Sequence, residues 1–314
     1  MNIPDIKIPI IPIEIELDKN IQLFIKREDL IHPEISGNKF WKMFYNINSY
    51  LQKKVENPSV ITFGGAYSNH IAAAAAVGKE FKIETMGIIR GDELSEKWQE
   101  NPTLLEAHSN GMTFRFVTRE EYRNKEKLSE KLQKEFPQAL IVPEGGTNKL
   151  AVEGVSYMLN EQTKDFNYLC SAVGTGGTVA GIAKFAGENQ KILGFKVVND
   201  SSLESKISEL SEKKNFQLFE AHDGGYGKII DENIRFINMF YQKYKIPLDP
   251  IYTGKMMRKL FELIENGFFP ENSTILAFHT GGLQGILGAN KSIEKRKQNI
   301  DRNLLKKEDS QLLI

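Results

Sequence analysis

Four glycine-bearing segments of this sequence place chemically useful residues at the heads of expected helices. In Ser36-Gly-Asn-Lys39 a lysine follows a strand-like run, Leu23 to Glu28, and opens a periodic segment. The positive end of a helix dipole lowers the pKa of an amine there, and an unprotonated lysine amine can form a Schiff base with a carbonyl. The alternative is a lysine that is merely exposed. In Phe63-Gly-Gly-Ala-Tyr-Ser-Asn-His70 the glycines follow a strand and Ser68 and Asn69 start an alanine-rich helix. Free N–H groups and short polar side chains suit a carboxylate, and Ser68 would serve equally well as a plain helix cap.

Gly174-Thr-Gly-Gly-Thr178 is the third segment. Consecutive glycines let N–H groups converge on a phosphate at a helix start. A mononucleotide-binding loop would end in Gly-Lys-Ser/Thr, and this one has no lysine. A dinucleotide fingerprint would run Gly174, Gly176 and then glycine or alanine at 179, where Val179 stands. Asp200 does fall near the ribose-binding spacing, so a nicotinamide or flavin reading stays open on these residues alone. The fourth segment, Ala277-Phe-His-Thr-Gly-Gly282, is another strand-to-turn passage in which Thr280 offers a hydroxyl to a ring nitrogen or a phosphate. The five histidines (32, 70, 108, 222 and 279) show no metal-ligand spacing, so no catalytic metal is expected. His70 and His279 read as loop hydrogen-bonders rather than acid–base groups.

These segments need rigid elements behind them. Ser59 to Phe63, Ile83 to Ile89, Leu140 to Val142, Tyr168 to Val173 and Ile192 to Val198 are short apolar or β-branched runs that predict buried strands. Phe40, Phe44, Ile47 and Leu51 recur at helical spacing and share one face, with Ser36 placed to cap that helix. Strand–helix alternation predicts an α/β fold of parallel sheets with right-handed crossovers. At 314 residues two domains are expected: a larger one from 1–45 and 150–314, and a smaller inserted α/β domain from 46–149. No internal repeat or low-complexity linker separates them.

Composition narrows the partners. The 41 basic and 41 acidic residues cancel, which gives no electrostatic reason to bind nucleic acid or an anionic membrane. The longest apolar run, Ile71 to Val77, is too short to span a bilayer. A single cysteine, Cys170, fits a reducing compartment. With Asp5, Lys7 and several prolines in place of a leader's apolar stretch, a cytoplasmic protein is expected. The tail from Lys291 onward carries charges of both signs and reads as a solvated helix.

Eight motifs, taken in order, resemble the fold-type II pyridoxal-phosphate (PLP) enzymes, and specifically the family of D-cysteine desulfhydrase and 1-aminocyclopropane-1-carboxylate (ACC) deaminase. They are Lys26-Arg-Glu-Asp29, Ser36-Gly-Asn-Lys39, Gly64 to His70, Glu144-Gly-Gly-Thr-Asn148, Gly174 to Thr178, Gly225-Tyr-Gly227, Asp249-Pro-Ile-Tyr-Thr-Gly-Lys255 and His279-Thr-Gly-Gly282. The resemblance implies a tryptophan-synthase-β-like fold of two α/β domains, and a homodimer. It implies that Lys39 holds the cofactor as a Schiff base and then moves protons at the α-carbon. Asn69 would bond the cofactor's phenolic oxygen, Gly174, Thr175, Gly176, Gly177 and Thr178 its phosphate, and Thr280 would face its pyridine nitrogen. Ser68, Asn69 and His70 would meet the substrate, and Tyr226 and Tyr252 would flank it, with Ser68 and both tyrosines also handling protons.

The implied reaction is α,β-elimination on a small amino acid, with D-cysteine giving pyruvate, ammonia and sulfide. ACC deamination to 2-oxobutyrate and ammonia is the alternative; a non-catalytic PLP-binding protein and an amino-acid racemase are further ones. ACC deaminases have Glu directly after the tyrosine of Asp-Pro-Val-Tyr, and a carboxylate near the pyridine nitrogen strengthens the electron sink. Thr253 stands there in this chain, which favours the elimination side. Tyr67 departs from the glutamine usual in the family and is expected either to narrow the carboxylate pocket or to change which side chain is accepted.

Overall fold

The computed structural model describes residues 7–15 and 20–293. The charged tail beyond Ile293, and Asp5 at the other end, lie outside the described residues.

Short apolar runs pair into two sheets. The larger has six strands in the order β1-β2-β10-β7-β8-β9: β1 (Ile10–Ile13), β2 (Gln22–Lys26), β7 (Tyr168–Val173), β8 (Lys191–Lys196), β9 (Phe216–Glu220) and β10 (Thr274–Phe278). Only β1 runs antiparallel to its neighbour. The smaller, all-parallel sheet has the order β5-β4-β3-β6, from β3 (Ser59–Gly64), β4 (Glu84–Arg90), β5 (Thr113–Val117) and β6 (Leu140–Val142). The helices α1 (Asn38–Leu51), α2 (Asn69–Phe81), α3 (Pro102–Ser109), α4 (Arg119–Arg123), α5 (Lys125–Glu135), α6 (Lys149–Val155), α7 (Gly177–Phe185), α8 (Leu203–Ser211), α9 (Asp231–Tyr244), α10 (Thr253–Glu265) and α11 (Gly285–Ile293) flank the sheets, as parallel strands buried on two faces require. The expected strands are all present. The run expected to reach Val198 stops at Lys196, and the one expected to reach Glu28 stops at Lys26, because Glu28–Leu30 folds into a 3-10 turn. Among the described residues no helix is long and apolar enough to cross a membrane.

The helix carrying Lys39, α1 (Asn38–Leu51), lies between the two sheets. It runs through the expected domain boundary at 45/46 and packs against both α2 (Asn69–Phe81) and α6 (Lys149–Val155). Accordingly it is buried on more than the one face its periodicity indicates: Trp41, Met43, Phe44, Ile47 and Tyr50 are all in the core. Ser36 does not cap it. The cap position is Gly37, and the Ser36 hydroxyl donates instead to the Asp29 carbonyl at 3.2 Å. The chain there approaches the Thr280 turn so closely that a Cβ on Gly37 would lie 1.9 Å from the Thr280 carbonyl oxygen. Glycine is therefore obligatory at 37, and the space left over admits no serine cap.

Buried polar contacts fix α1 from below. Trp41 Nε1 donates to Glu28 Oε2 at 2.9 Å, and Lys26 Nζ lies 3.1 Å from Glu28 Oε1, all three side chains being buried. Burial holds the Glu28 carboxyl above its ordinary range, with Lys26 opposing. On the other side, α6 comes close enough that a Cβ on Gly154 would stand 2.2 Å from the Trp41 carbonyl. Gly154→Ala should therefore push α1 off α6 and destabilise the protein by about 1–3 kcal/mol, the usual cost of overpacking. Denaturant unfolding measures it, and an unchanged midpoint would contradict the packing described.

Candidate active site

Parallel strands present their C-terminal ends to ligands, and here the loops leaving β3, β4, β6, β7 and β10 surround one cavity of about 340 Å³. Lys39, Ser68, Asn69, His70, Gly174, Thr175, Gly176, Gly177, Thr178, Tyr226, Tyr252 and Thr280 all line it. Residues expected to act together from distant motifs thus meet at one place. Asn38, Lys42, Arg90 and Lys125 also line it, and sequence reasoning did not single them out.

Lys39 is the second residue of α1, and its Nζ donates to Asn38 Oδ1 at 3.1 Å. Burial lowers the Lys39 amine to about 8, while the buried Asp249 carboxylate pulls it up. The direction is the one expected at a helix head, but loss of water rather than the helix dipole causes it. Lys42 follows three residues later on the same face. It is 2% exposed and donates only to neutral oxygens, the Gly145 carbonyl at 2.9 Å and Thr147 Oγ1 at 3.1 Å. Burial first, and the Lys39 charge second, depress Lys42 far below an ordinary lysine.

The glycine loop meets Lys42 directly. The helix α7 (Gly177–Phe185) starts there, with Thr178 Oγ1 accepting from Asn38 Nδ2 at 2.5 Å and Thr175 Oγ1 at 2.5 Å from Thr147 Oγ1. A Cβ on Gly177 would lie 2.9 Å from Lys42 Nζ. A buried cation without a carboxylate, beside free N–H groups at a helix start, calls for an anion, and a phosphate monoester fits. The nucleotide alternative loses its acidic residue. Asp200 does reach the cavity, but bonds from Ser202 and then Lys206 at 3.1 Å hold its carboxyl down at about 2.

Across the cavity, Ser68 caps α2 by accepting from Ile71 N at 3.3 Å, and Asn69 Oδ1 accepts from Gln284 Nε2 at 3.0 Å. Tyr67 does not narrow the pocket. Its ring lies on α11 (Gly285–Ile293), where a Cβ on Gly288 would meet it at 2.5 Å. Thr253 also stands outside the lining. It is wholly buried at the start of α10 (Thr253–Glu265), and its hydroxyl bonds to Asp249 at 3.1 Å. The carboxylate of this region is Asp249 itself, which receives the N–H groups of Ile251, Tyr252 and Thr253.

The Tyr226 ring is half exposed, with its hydroxyl turned inward to 3.3 Å from the Tyr252 hydroxyl. Burial raises both phenols, Tyr252 far above its ordinary value. His279 Nε2 lies 2.6 Å from the Pro247 carbonyl and Nδ1 3.2 Å from Asp29 Oδ1, so it braces the Thr280 turn. Among the described residues no cluster of His, Cys, Asp and Glu could hold a metal.

One tautomer follows from geometry. Thr62 Oγ1 donates its single hydrogen to the Val142 carbonyl at 2.9 Å, so at 2.7 Å it must accept from His70 Nε2–H. His70 Nδ1 is then a bare acceptor, fully buried and without a partner. Burial, and then the Lys39 and Lys42 charges, hold the imidazole well below its ordinary value, so it stays neutral. Nitrogen-15 NMR should show Nε2 protonated and Nδ1 unprotonated down through pH 6.5, and Thr62→Val should release that preference. A protonated Nδ1 at neutral pH would overturn the assignment.

Comparison with known proteins places this geometry. The family described as "Pyridoxal-phosphate dependent enzyme" matches residues 6–281. The chain is 28% identical over 302 residues to an Arabidopsis thaliana protein named bifunctional D-cysteine desulfhydrase/1-aminocyclopropane-1-carboxylate deaminase, mitochondrial, covering 86% of this chain and 74% of that one. A Pyrococcus horikoshii protein, provisionally named a 1-aminocyclopropane-1-carboxylate deaminase, is 29% identical over 285 residues, 84% and 85% of the two chains. A solved structure of an ACC deaminase homologue superposes with a TM-score of 0.75 at 27% identity, covering 92% of this chain and 93% of that one. With the family spanning nearly all the described residues and a phosphate-demanding cradle beside a buried lysine, this chain belongs to the pyridoxal-phosphate-dependent enzymes.

Proposed function

We propose that the protein carries out α,β-elimination on a small amino acid, D-cysteine first, and that Lys39 is the residue that binds the cofactor aldehyde. D-cysteine and water would give pyruvate, ammonia and hydrogen sulfide. The observation that carries this reading is the partly buried Lys39 amine, lowered to about 8, one helical turn from the buried Lys42 at a glycine cradle. Pyridoxal phosphate, when bound, supplies an electron sink for charge developing at the α-carbon.

The chain's own residues divide the remaining work. Lys42, the N–H groups of the glycine loop and the hydroxyls of Thr175 and Thr178 hold the phosphate. Asn69 would bond the phenolic oxygen and Thr280 would face the ring nitrogen, both lining the cavity. The Ser68 hydroxyl and the start of α2 take the substrate carboxylate. Lys39, once free, takes the α-proton on its Nζ. The Tyr226 and Tyr252 hydroxyls, 3.3 Å apart on the cavity wall, would protonate the leaving sulfur. Burial keeps both phenols protonated, which suits donation and disfavours attack as a tyrosinate.

ACC deamination is the second reading, and the names of the relatives favour it equally. ACC has no α-hydrogen for Lys39 to take, and this keeps D-cysteine first.

Sulfide and pyruvate should be released from D-cysteine, with L-cysteine and ACC run in parallel, and Lys39→Ala should lose both turnover and the cofactor's absorbance band. 2-Oxobutyrate from ACC with no sulfide from cysteine would reverse the order of the two readings. Because only the neutral amine reacts with the aldehyde, reconstitution of the apoenzyme should speed up with pH until about 8 and then level off. A profile still rising steeply above pH 9 would mean that Lys39 titrates as an ordinary lysine.

A further inference from the structure

The register of the smaller sheet sets Gly64 beside Ile89, so the next residues, Gly65 and Arg90, leave neighbouring strand ends side by side. A Cβ on Gly65 would have one neighbour within 4 Å, Arg90 Nη2 at 3.4 Å. The glycine leaves the guanidinium room above the loop that leads into Ser68 and α2. On its other flank the guanidinium carbon lies 5.7 Å from the centre of the Tyr122 ring, whose hydroxyl donates to Glu144 at 2.9 Å.

Charge balance singles Arg90 out. Of the cations lining the cavity, Lys125 is paired with Glu144 at 3.0 Å and Lys206 with Asp200 at 3.1 Å. Lys42 is held at the glycine cradle, and Lys39 is assigned to the cofactor aldehyde. Arg90 has no carboxylate partner among the described residues. The Gly64–His70 loop itself offers an anion only neutral donors, the Ser68 hydroxyl and the start of α2, because Tyr67 is turned away onto α11.

We infer that Arg90 is the counter-ion of the substrate's α-carboxylate. It completes with a full charge what the helix start begins with partial ones. The guanidinium offers two parallel N–H groups to two carboxylate oxygens and binds the amino acid with that end toward β3 and β4. The opposite wall then keeps Lys42 for the phosphate, so the two anions of the complex are held by two different cations. This inference rests on the amino-acid reading above and adds the residue that fixes the substrate's orientation.

The test uses holoenzyme and follows the cofactor's absorbance and steady-state rates with D-cysteine and with cysteamine, which lacks the carboxylate. In Arg90→Gln, the KM for D-cysteine should rise about 10- to 100-fold, the scale of one lost charge-assisted pair, with kcat within about 3-fold. Cysteamine should perturb the absorbance band at the same concentration in both proteins, and Arg90→Lys should recover part of the loss. An unchanged KM for D-cysteine overturns the assignment. So does equal weakening of cysteamine, which would mean that Arg90 only supports the loop, and so does a loss confined to amino acids with a second acidic group. A wild-type holoenzyme without a lysine-dependent band would defeat the cofactor reading. A normal band that amino acids shift equally in wild type and variant would defeat only Arg90.

Discussion

Everything near the cavity answers to the burial of two amines one helical turn apart. Lys39 and Lys42 share a face of α1; Lys42 is buried, and Lys39 is partly buried at the cavity wall, where lost hydration lowers its amine. Two neighbouring cations in such a place repel each other and lose their hydration, a cost that neutral oxygens only partly offset. Lys42 has the Gly145 carbonyl and the Thr147 hydroxyl; Lys39 has Asn38 and the more distant charge of Asp249. A phosphate held against Lys42 would balance the charge there, and a Schiff base at Lys39 would leave one free amine fewer to desolvate. The features that strain the free protein are thus the ones that favour the cofactor. Binding restricted to the folded chain returns the difference as stability.

Holding those amines in place is the work of layers beneath the cavity. The helix that bears them is pinned at its start, where Gly37 lies under the Thr280 carbonyl, and along its flank, where Gly154 lets α6 approach. Below it runs the charged stretch Lys26 to Asp29. In a strand end this buried, each charge needs a fixed partner: Lys26 has Glu28, Arg27 has Asp29 at 2.8 Å, and Asp29 also reaches His279. His279 belongs to the turn that carries Thr280. One buried network therefore ties the head of α1 to the turn opposite it, and a shift in either is felt by both.

The sequence made the loops legible because each is a local pattern: glycines, a capping residue and a strand ending just before. Their order along the chain was sufficient to imply one fold, and the parallel sheets bring them to one edge. What stayed hidden depends on contacts across the chain. Lys42 looks like any lysine on an amphipathic helix until Gly145, Thr147 and Gly177 close over it, and these come from segments more than 100 residues away. Arg90 ends a strand whose register with β3 alone brings it beside Gly65. Ser36 had the right residue type for a cap but lay against a turn from the far end of the chain, which left room only for glycine at the cap position. Thr253 and Tyr67 follow the same rule. Both have cavity residues as their neighbours in sequence, yet one side chain turns down to Asp249 and the other out to α11.

Desolvation has opposite visible effects on the amine and the phenols, and together they define what the cavity can do. Loss of water always favours the uncharged form, so it removes a proton from Lys39 and keeps one on Tyr226 and Tyr252. The loop bearing Tyr226 is held in register with Tyr252 by Asp223, which contacts Arg258 and lies 3.6 Å from Lys255, both on α10, the helix that Tyr252 begins. Above about pH 8 the cavity accordingly presents a neutral base on one side and neutral hydrogen donors on the other. Such a set can accept a proton from carbon and deliver one to a departing heteroatom without first creating an isolated buried charge. A tyrosinate nucleophile would demand the reverse, a charge formed where burial most opposes it, and this supports the proposed elimination over nucleophilic ring opening.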